Sequence, residues 1–338
     1  MHKRATPCKA SLALQMAKPM ALGEFELIKQ FFTRPNHRAD VCLGVGDDCA
    51  LLRPTEGECV AMTVDTLVEG VHFLAGTDPE GLGHKSLAVS LSDLASMGAR
   101  PAWVSLALTL PRSDETWLAA FAKGLLALAE RHGVELVGGD TTRGPLSITV
   151  QAMGFVREKD ALRRSAARVG DGIYLTGDLG LAGLGLEIVL GKTRLRAPEA
   201  VAKLERPEPR VQAGMALAGL ANACIDVSDG LAADLGHMLE GGGVGATLDW
   251  AALPLPSAIR RHIAAGGDEW MPLRAGDDYE LCFTVAAARE NELAARMAEF
   301  DCSCVRIGRI DEQPGLRMKK DRRVLDIDVR GFQHFHPA

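Results

Sequence analysis

Aromatic residues supply only 5% of this 338-residue chain, so leucine, valine and alanine must fill its cores. Neither sign of charge is in large excess: 38 Lys and Arg stand against 44 Asp and Glu, a formal net charge of −6. That balance argues against nucleic acid or a membrane surface as the main partner. No apolar run reaches the length of a membrane span. The eight cysteines form no C-x-x-C pair and no zinc spacing, and most sit in apolar runs such as Leu281-Cys282-Phe283. They read as small buried thiols, kept reduced in a cytoplasmic protein. A Walker A loop, a G-x-G-x-x-G at a strand–helix junction and the kinase strings His-Arg-Asp and Asp-Phe-Gly are all missing, which disfavours the known nucleotide folds.

The length suits two domains, each large enough for its own core. Residues 1–22 hold no acid and carry His2, Lys3, Arg4, Lys9 and Lys18. Their apolar stretch is too short and interrupted for a signal peptide, so they read as a disordered extension. Phe25, Ile28 and Phe32 then space a short amphipathic helix, and a longer one covers 81–97 with Leu87, Leu91 and Leu94 on one stripe and Asp93 off it. Ser113 suits the cap of a helix that buries Trp117, Phe121, Leu125 and Leu128 and stops at Gly133. Strands are expected at 43–52, 59–63, 103–110, 134–137 and 147–156.

Charge rises over 157–168, which marks a domain boundary between 23–157 and 158–338. Beyond it, helices are expected at 181–190, 211–221 and 231–239, and strands at 173–176, 223–225, 245–248, 281–285 and 304–307. Neither half alternates strictly as βαβ units, so the class is α+β, with mixed sheets and helices packed on one face in each domain.

What the chain does hold is aspartate, in five clusters: Gly46-Asp47-Asp48, Val64-Asp65-Thr66, Gly138-Gly139-Asp140, Asp226-Val227-Ser228-Asp229-Gly230 and Gly276-Asp277-Asp278-Tyr279-Glu280. One such acid is ordinary turn chemistry. Five sets need another reason, because crowded carboxylates repel unless cations neutralise them. Hard oxygen ligands of this kind suit Mg²⁺, which takes one or two carboxylates plus substrate phosphates. The pattern reads as a phosphate enzyme run on magnesium.

Taken singly, each motif has a plainer reading. Asp93 alone would be solvated surface, and Ser228 or Asp229 would cap the helix that follows. His72 would be a packed or surface histidine, Arg164 a solvated boundary charge, and Phe332 an anchor for the tail. In 138–144 the paired glycines could let backbone approach a phosphate, with Asp140 on a metal and Arg143 adding charge.

Read in order, the strings Gly23 to Ile28, Gly44 to Leu52, Asp65 to Phe73, Lys85 to Ala95, Gly138 to Gly144, Ile225 to Leu231 and Asp278-Tyr279-Glu280-Leu281 closely resemble the thiamine-monophosphate kinases, of the PurM-like (aminoimidazole ribonucleotide synthetase) superfamily. The resemblance runs from Gly23 to the Gly331-Phe332-Gln333-His334-Phe335 tail. It implies a two-domain α+β fold, a homodimer, and phosphorylation of thiamine monophosphate by ATP through several Mg²⁺ ions. By position it places metal contacts on Asp48, Thr63, Val64, Asp65, Asp93, Asp140, Asp226 and Asp229, with Val64 offering only its carbonyl. ATP contacts fall on Gly139, Asp140, Arg164 and Ser228, and acceptor contacts on His72, Asp277 and Phe332. Asp277 stands where the family commonly has glutamate.

A phosphate acceptor is largely anionic at neutral pH, so neither a general base nor a covalent nucleophile is expected. Two rivals stay open. Another superfamily enzyme, such as selenophosphate synthetase or the hydrogenase-maturation dehydratase, should show a reactive cysteine in a glycine-rich N-terminal segment or at the C-terminus; this chain ends His336-Pro337-Ala338. A non-catalytic sensor of thiamine phosphates would not need the full acidic set.

Overall fold

The computed structural model of the protein describes residues 22–300, 302–329 and 331. The extension up to residue 21 and Phe332 therefore lie outside the described residues. Leu22, the last residue of the expected extension, already packs against the first core. Helix α1 (Glu24–Leu27) runs straight into a π turn, Ile28–Phe32. The extra residue in that turn rotates the apolar stripe. Leu27, Phe31 and Phe32 are buried, whereas Phe25, expected on the stripe, is exposed.

The segment expected as one strand over 43–52 is a hairpin, β1 (Val41–Leu43) with β2 (Leu51–Leu52), because the glycine- and acid-rich stretch between them turns the chain. Next come β3 (Cys59–Val68), α2 (Pro79–Ser96), β4 (Arg100–Leu110), α3 (Glu115–Arg131), β5 (Glu135–Arg143) and β6 (Ser147–Val156). Strand β3 runs past its expected end, so Asp65 is a strand residue and not a turn residue. Strand β5 likewise runs through Gly138-Gly139-Asp140. Asp114, not Ser113, caps α3, its carboxylate accepting the Trp117 N–H at 3.1 Å. The four strands order as β3-β6-β4-β5, with β4 and β5 parallel and the other pairs antiparallel.

The rest of the chain gives β7 (Gly172–Leu175), α4 (Leu181–Val189), α5 (Pro198–Glu205), α6 (Val211–Leu217), β8 (Ala223–Asp226), α7 (Leu231–Gly242) and β9 (Gly245–Asp249). Then follow α8 (Ser257–Ala264), α9 (Met271–Arg274), β10 (Leu281–Val285), α10 (Glu290–Glu299), β11 (Val305–Asp311), β12 (Gly315–Lys320) and β13 (Arg323–Asp326). The second sheet orders as β13-β12-β9-β11-β7-β10-β8, and only β12 against β9 is parallel. Strands β12 and β13 escaped the sequence reading because Arg317, Lys319, Lys320 and Arg323 hide their alternation.

The α+β architecture is the one expected. Helices α2 and α3 cover one face of the first sheet. In the second sheet the covering goes beyond one face: α7 packs on Ile173, Leu175 and Ile225, while Tyr174, Cys224 and Phe283 point the other way into the core built around α2. That core contains α2, α6 and α10 together, so it belongs to both sheets at once. The far face of the first sheet is covered at one end by the β1–β2 hairpin, where Val41, Trp103 and Phe155 cluster. Elsewhere it is open, and Val60, Met62 and Val64 of β3 stand exposed on it.

Helix α2 is buried almost all round, as a central helix is. Its neighbours come close because glycines face one another at the crossings. A Cβ on Gly83 would lie 2.0 Å from the Phe121 carbonyl oxygen, and one on Gly124 of α3 would lie 1.9 Å from the Glu80 carbonyl oxygen. On the α6 side, a Cβ on Gly214 would lie 2.1 Å from the Ala95 carbonyl oxygen. These obstacles are backbone, which cannot swing aside. Gly83→Ala should therefore destabilise the protein by about 1–3 kcal/mol, read as a lower urea midpoint at unchanged slope; an unaltered midpoint would show that the helices can part freely.

Candidate active site

Three hydroxyls of β3 and α2 hold three carboxylates from three elements. Thr63 donates to the Asp93 carboxylate in a short hydrogen bond, Ser90 to Asp65 at 2.7 Å, and Ser92 to Asp226 at 2.7 Å. Asp93 is half-buried, so the surface reading does not hold: α2 lies against β3 and β8 along that face. Burial pushes Asp65 above its ordinary value. Burial, then the nearby Asp65 charge, pushes Asp93 up to about 6; burial and the Asp93 charge push Asp226 up to about 7. Arg164, exposed in the turn Arg164–Ala166, lies near enough to Asp93 to favour its charged form.

Such a set is uncomfortable empty and suits a divalent cation. Among the described residues, no three His, Cys, Asp or Glu side chains are gathered closely enough to hold a metal unaided. Mg²⁺ typically takes one or two protein carboxylates and completes its shell with water and substrate phosphates, so the residues fit it.

Ser228 and Asp229 lie in the loop between β8 and α7. Neither caps α7: its cap position is Gly230, and the Asp234 carboxylate reaches back to accept the Ser228 and Asp229 N–H groups, each at 3.0 Å. Burial, then the Asp226 charge, pushes Asp234 up to about 8.

Beside the carboxylates opens a cavity of ≈ 630 Å³, lined by Asp65, His72, Lys85, Ser228, Asp229, Asp277 and Tyr279, with Val71, Leu186 and Val189 on its apolar side. His72 accepts the Val68 N–H at Nδ1, 3.0 Å away, which places the proton of its neutral ring on Nε2. Val64 also borders the cavity, but its side chain stands 54% exposed on the open face of the sheet.

Of the expected site residues, the fold thus gathers Thr63, Asp65, His72, Asp93, Arg164, Asp226, Ser228, Asp229 and Asp277 into one neighbourhood. It does not bring Asp48 or Asp140 there. Asp48 is exposed in the β1–β2 turn, its N–H bound to the Asp47 carboxylate. Asp140 lies opposite Ala107, which lies opposite Thr149 and so Thr66, on the uncovered face. That is three strand spacings, ~14 Å, from Thr66. Gly139 has a local reason to be glycine: at φ +151°, a Cβ would fall 1.9 Å from the Leu106 carbonyl oxygen.

The sequence reading missed Lys85, Ser90, Ser92, Asp234 and Tyr279. For the first three a signal existed, since polar side chains interrupt a run that is otherwise core on every side. Asp234 looked like an ordinary acid in the first turn of a helix.

Residues 46–156 match the family model for the N-terminal domain of AIR synthase related proteins, and residues 168–321 match that for their C-terminal domain. The fold and site thus define a member of that superfamily. Thiamine-monophosphate kinases of Haemophilus influenzae and Escherichia coli (strain K12) are each 44% identical over 324 residues, 94% of this chain and 99% of theirs. This chain belongs to the thiamine-monophosphate kinase family. Among solved structures, the thiamine-monophosphate kinase of Stenotrophomonas maltophilia K279a superposes with a TM-score of 0.78 at 46% identity, covering 83% of this chain and 92% of that one. AaThiL, complexed with AMPPCP and TMP, gives 0.74 at 29% identity over 83% and 89%. The hydrogenase maturation protein HypE, at 21% identity and 0.75, shares the fold.

Asp234 also supplies a test by pH. Its folded-state value, near 8, exceeds the unfolded value of 3.8, so the folded protein binds the extra proton between them. The stability this gives is present below the unfolded value and is lost as pH rises through about 8. Asp234→Asn keeps the acceptor oxygen and removes the titration. Without magnesium, its urea midpoint should gain on wild type between pH 5 and pH 8; parallel midpoints would assign the pH dependence elsewhere.

Proposed function

We propose that this chain transfers the γ-phosphoryl group of ATP to the phosphate of thiamine monophosphate, giving thiamine diphosphate and ADP. One observation carries the reading: a cavity sized for a small organic molecule is walled by half-buried Asp65, one of the carboxylates that the α2 hydroxyls hold. Its apolar side, at Val71, Leu186 and Val189, suits a heterocycle, while His72 and Asp277 offer polar contacts.

The acceptor oxygen of a phosphate monoester is already largely anionic near neutrality, so the chain need supply no base. Its task is to bring two polyanions together in line. Asp65, Asp93, Asp226 and Asp229 would form the donor set for Mg²⁺ ions; Asp48 and Asp140 stand apart from them within one chain. Bound there, magnesium would neutralise the phosphates and orient donor and acceptor oxygens. Arg164 and Ser228 are assigned to ATP, and the Arg164 charge beside Asp93 supports the first of these; Gly139 and Asp140, on the uncovered face of the sheet, stand apart from them within one chain. Phe332 is assigned to the acceptor. The transfer is direct, with no phosphoenzyme.

We further propose a homodimer built on the open face of the first sheet. Met62 and Val64 are 62% and 54% exposed there, on an edge strand whose other face is covered by helices. No helix among the described residues is long and apolar enough to cross a membrane. We place the reaction in the cytoplasm.

With ATP and Mg²⁺, thiamine diphosphate and ADP should appear one-to-one from thiamine monophosphate, and free thiamine should give no product. Asp93→Asn and Asp226→Asn should each lower kcat roughly a hundredfold or more and raise the magnesium needed. ATP hydrolysis without thiamine diphosphate would point to another acceptor. Met62→Lys should shift the protein from dimer to monomer in light scattering after gel filtration; a variant that stays dimeric places the interface elsewhere.

A further inference from the structure

The acids of this site are held in two different ways. Asp65, Asp93 and Asp226 are held by neutral hydroxyls, which leave their charge available to a cation. Asp277 is held by a charge. One of its oxygens accepts from Lys85 Nζ at 2.8 Å and the other from the Tyr279 hydroxyl at 3.0 Å. Both residues line the cavity, but the Lys85 side chain is only 6% exposed whereas that of Asp277 is 34% exposed, so the carboxylate is the more open of the two. The backbone adds to the fixation. Asp277 and Tyr279 both adopt left-handed conformations, φ +67° and +48°, which non-glycine residues take only where surroundings impose them. Their N–H groups are bound by the Ser228 and Val227 carbonyls at 2.9 and 2.8 Å.

We propose that Lys85 is a positioning residue that determines acceptor specificity: it withdraws Asp277 from the cation-binding acids and fixes it as a hydrogen-bond acceptor for the organic part of the phosphorylated substrate. The reasoning is electrostatic. Asp277 lines the same cavity as Asp229 and Asp65, where an unpaired carboxylate would attract magnesium. Paired with a buried lysine it is close to neutral as a unit, and so a poor metal ligand. Each carboxylate oxygen still has a second lone pair, which can meet an N–H or a positively charged ring. The inference rests on the reading that this cavity takes the acceptor.

Steady-state kinetics of the full chain, with ATP and Mg²⁺, test it. In Lys85→Met the KM for thiamine monophosphate should rise roughly ten- to a hundredfold, the loss of one charged hydrogen bond, while the KM for ATP stays put. The double variant Lys85→Met/Asp277→Asn should behave as Asp277→Asn alone, because the lysine acts through the acid. Tyr279→Phe, which removes one hydroxyl, should move the same KM in the same direction by less. Equal rises in both KM values, or fully additive effects in the double variant, would overturn the proposal. If Lys85→Met does not fold, Tyr279→Phe decides alone, and an unmoved acceptor KM refutes the assignment. A wild-type chain that makes no thiamine diphosphate would instead remove the functional reading, and this inference with it.

Discussion

Helix α2 packs on α3, α5 and α6 and on strands of both sheets, β3, β4, β6 and β8, and it can do so because backbone meets backbone where α3 and α6 cross it. Gly83, Gly124 and Gly214 remove the side chains that would hold α3 and α6 away. At this close range every buried polar group on α2 must find a partner within the protein, since water cannot reach it. Ser86 donates to the Gly83 carbonyl, Ser90 and Ser92 to carboxylates, and Lys85 to Asp277. Lys85 and Asp93 are eight residues apart, a rise of ~12 Å. One rigid rod therefore sets the separation between the Lys85–Asp277 pair and the Asp93 carboxylate.

The carboxylates work against stability. Asp93, Asp226 and Asp234 are each raised first by burial and then by a neighbouring acid, a chain of repulsion through the centre of the fold. A core built for stability alone would hold none of them. Their retention is intelligible if the working state contains cations, and the repulsion is then the means by which cation binding is favoured. The same tension explains the mixture of partners: neutral hydroxyls where charge must remain, a lysine where it must not.

Much of this was legible in the chain. Strands 147–156 and 281–285 match β6 and β10 at both ends, since their apolar runs have clear stops. The longest helices were found by periodicity, and the order of the acidic strings was enough to place the family. Other features depend on tertiary structure. Asp65 and Gly138-Gly139-Asp140 look like turns because acids and glycines usually make them; here strand pairing overrides that preference. Which face of a sheet an acid takes is decided by register, and so Asp140 parts from Asp65 although both follow short β-rich runs. The role of Asp234 appears only when the loop it ties down is in view, and the departure of the α1 stripe needs the π turn.

The buried cluster around α2 includes Leu91 and Leu94 with Leu217 of α6, Phe283 of β10 and Leu293 of α10. Two sheets thus share one interior, although the family models divide the chain into two segments. Cutting the chain after Val156 would leave the inner side of α2 bare, and the remaining fragment would lose the floor under β8 and β10. For evolution this means that the halves were not exchangeable parts. A substitution on either side of the seam is felt at the carboxylates, whereas Val71, Leu186 and Val189, exposed along the cavity, can change at no cost to the interior.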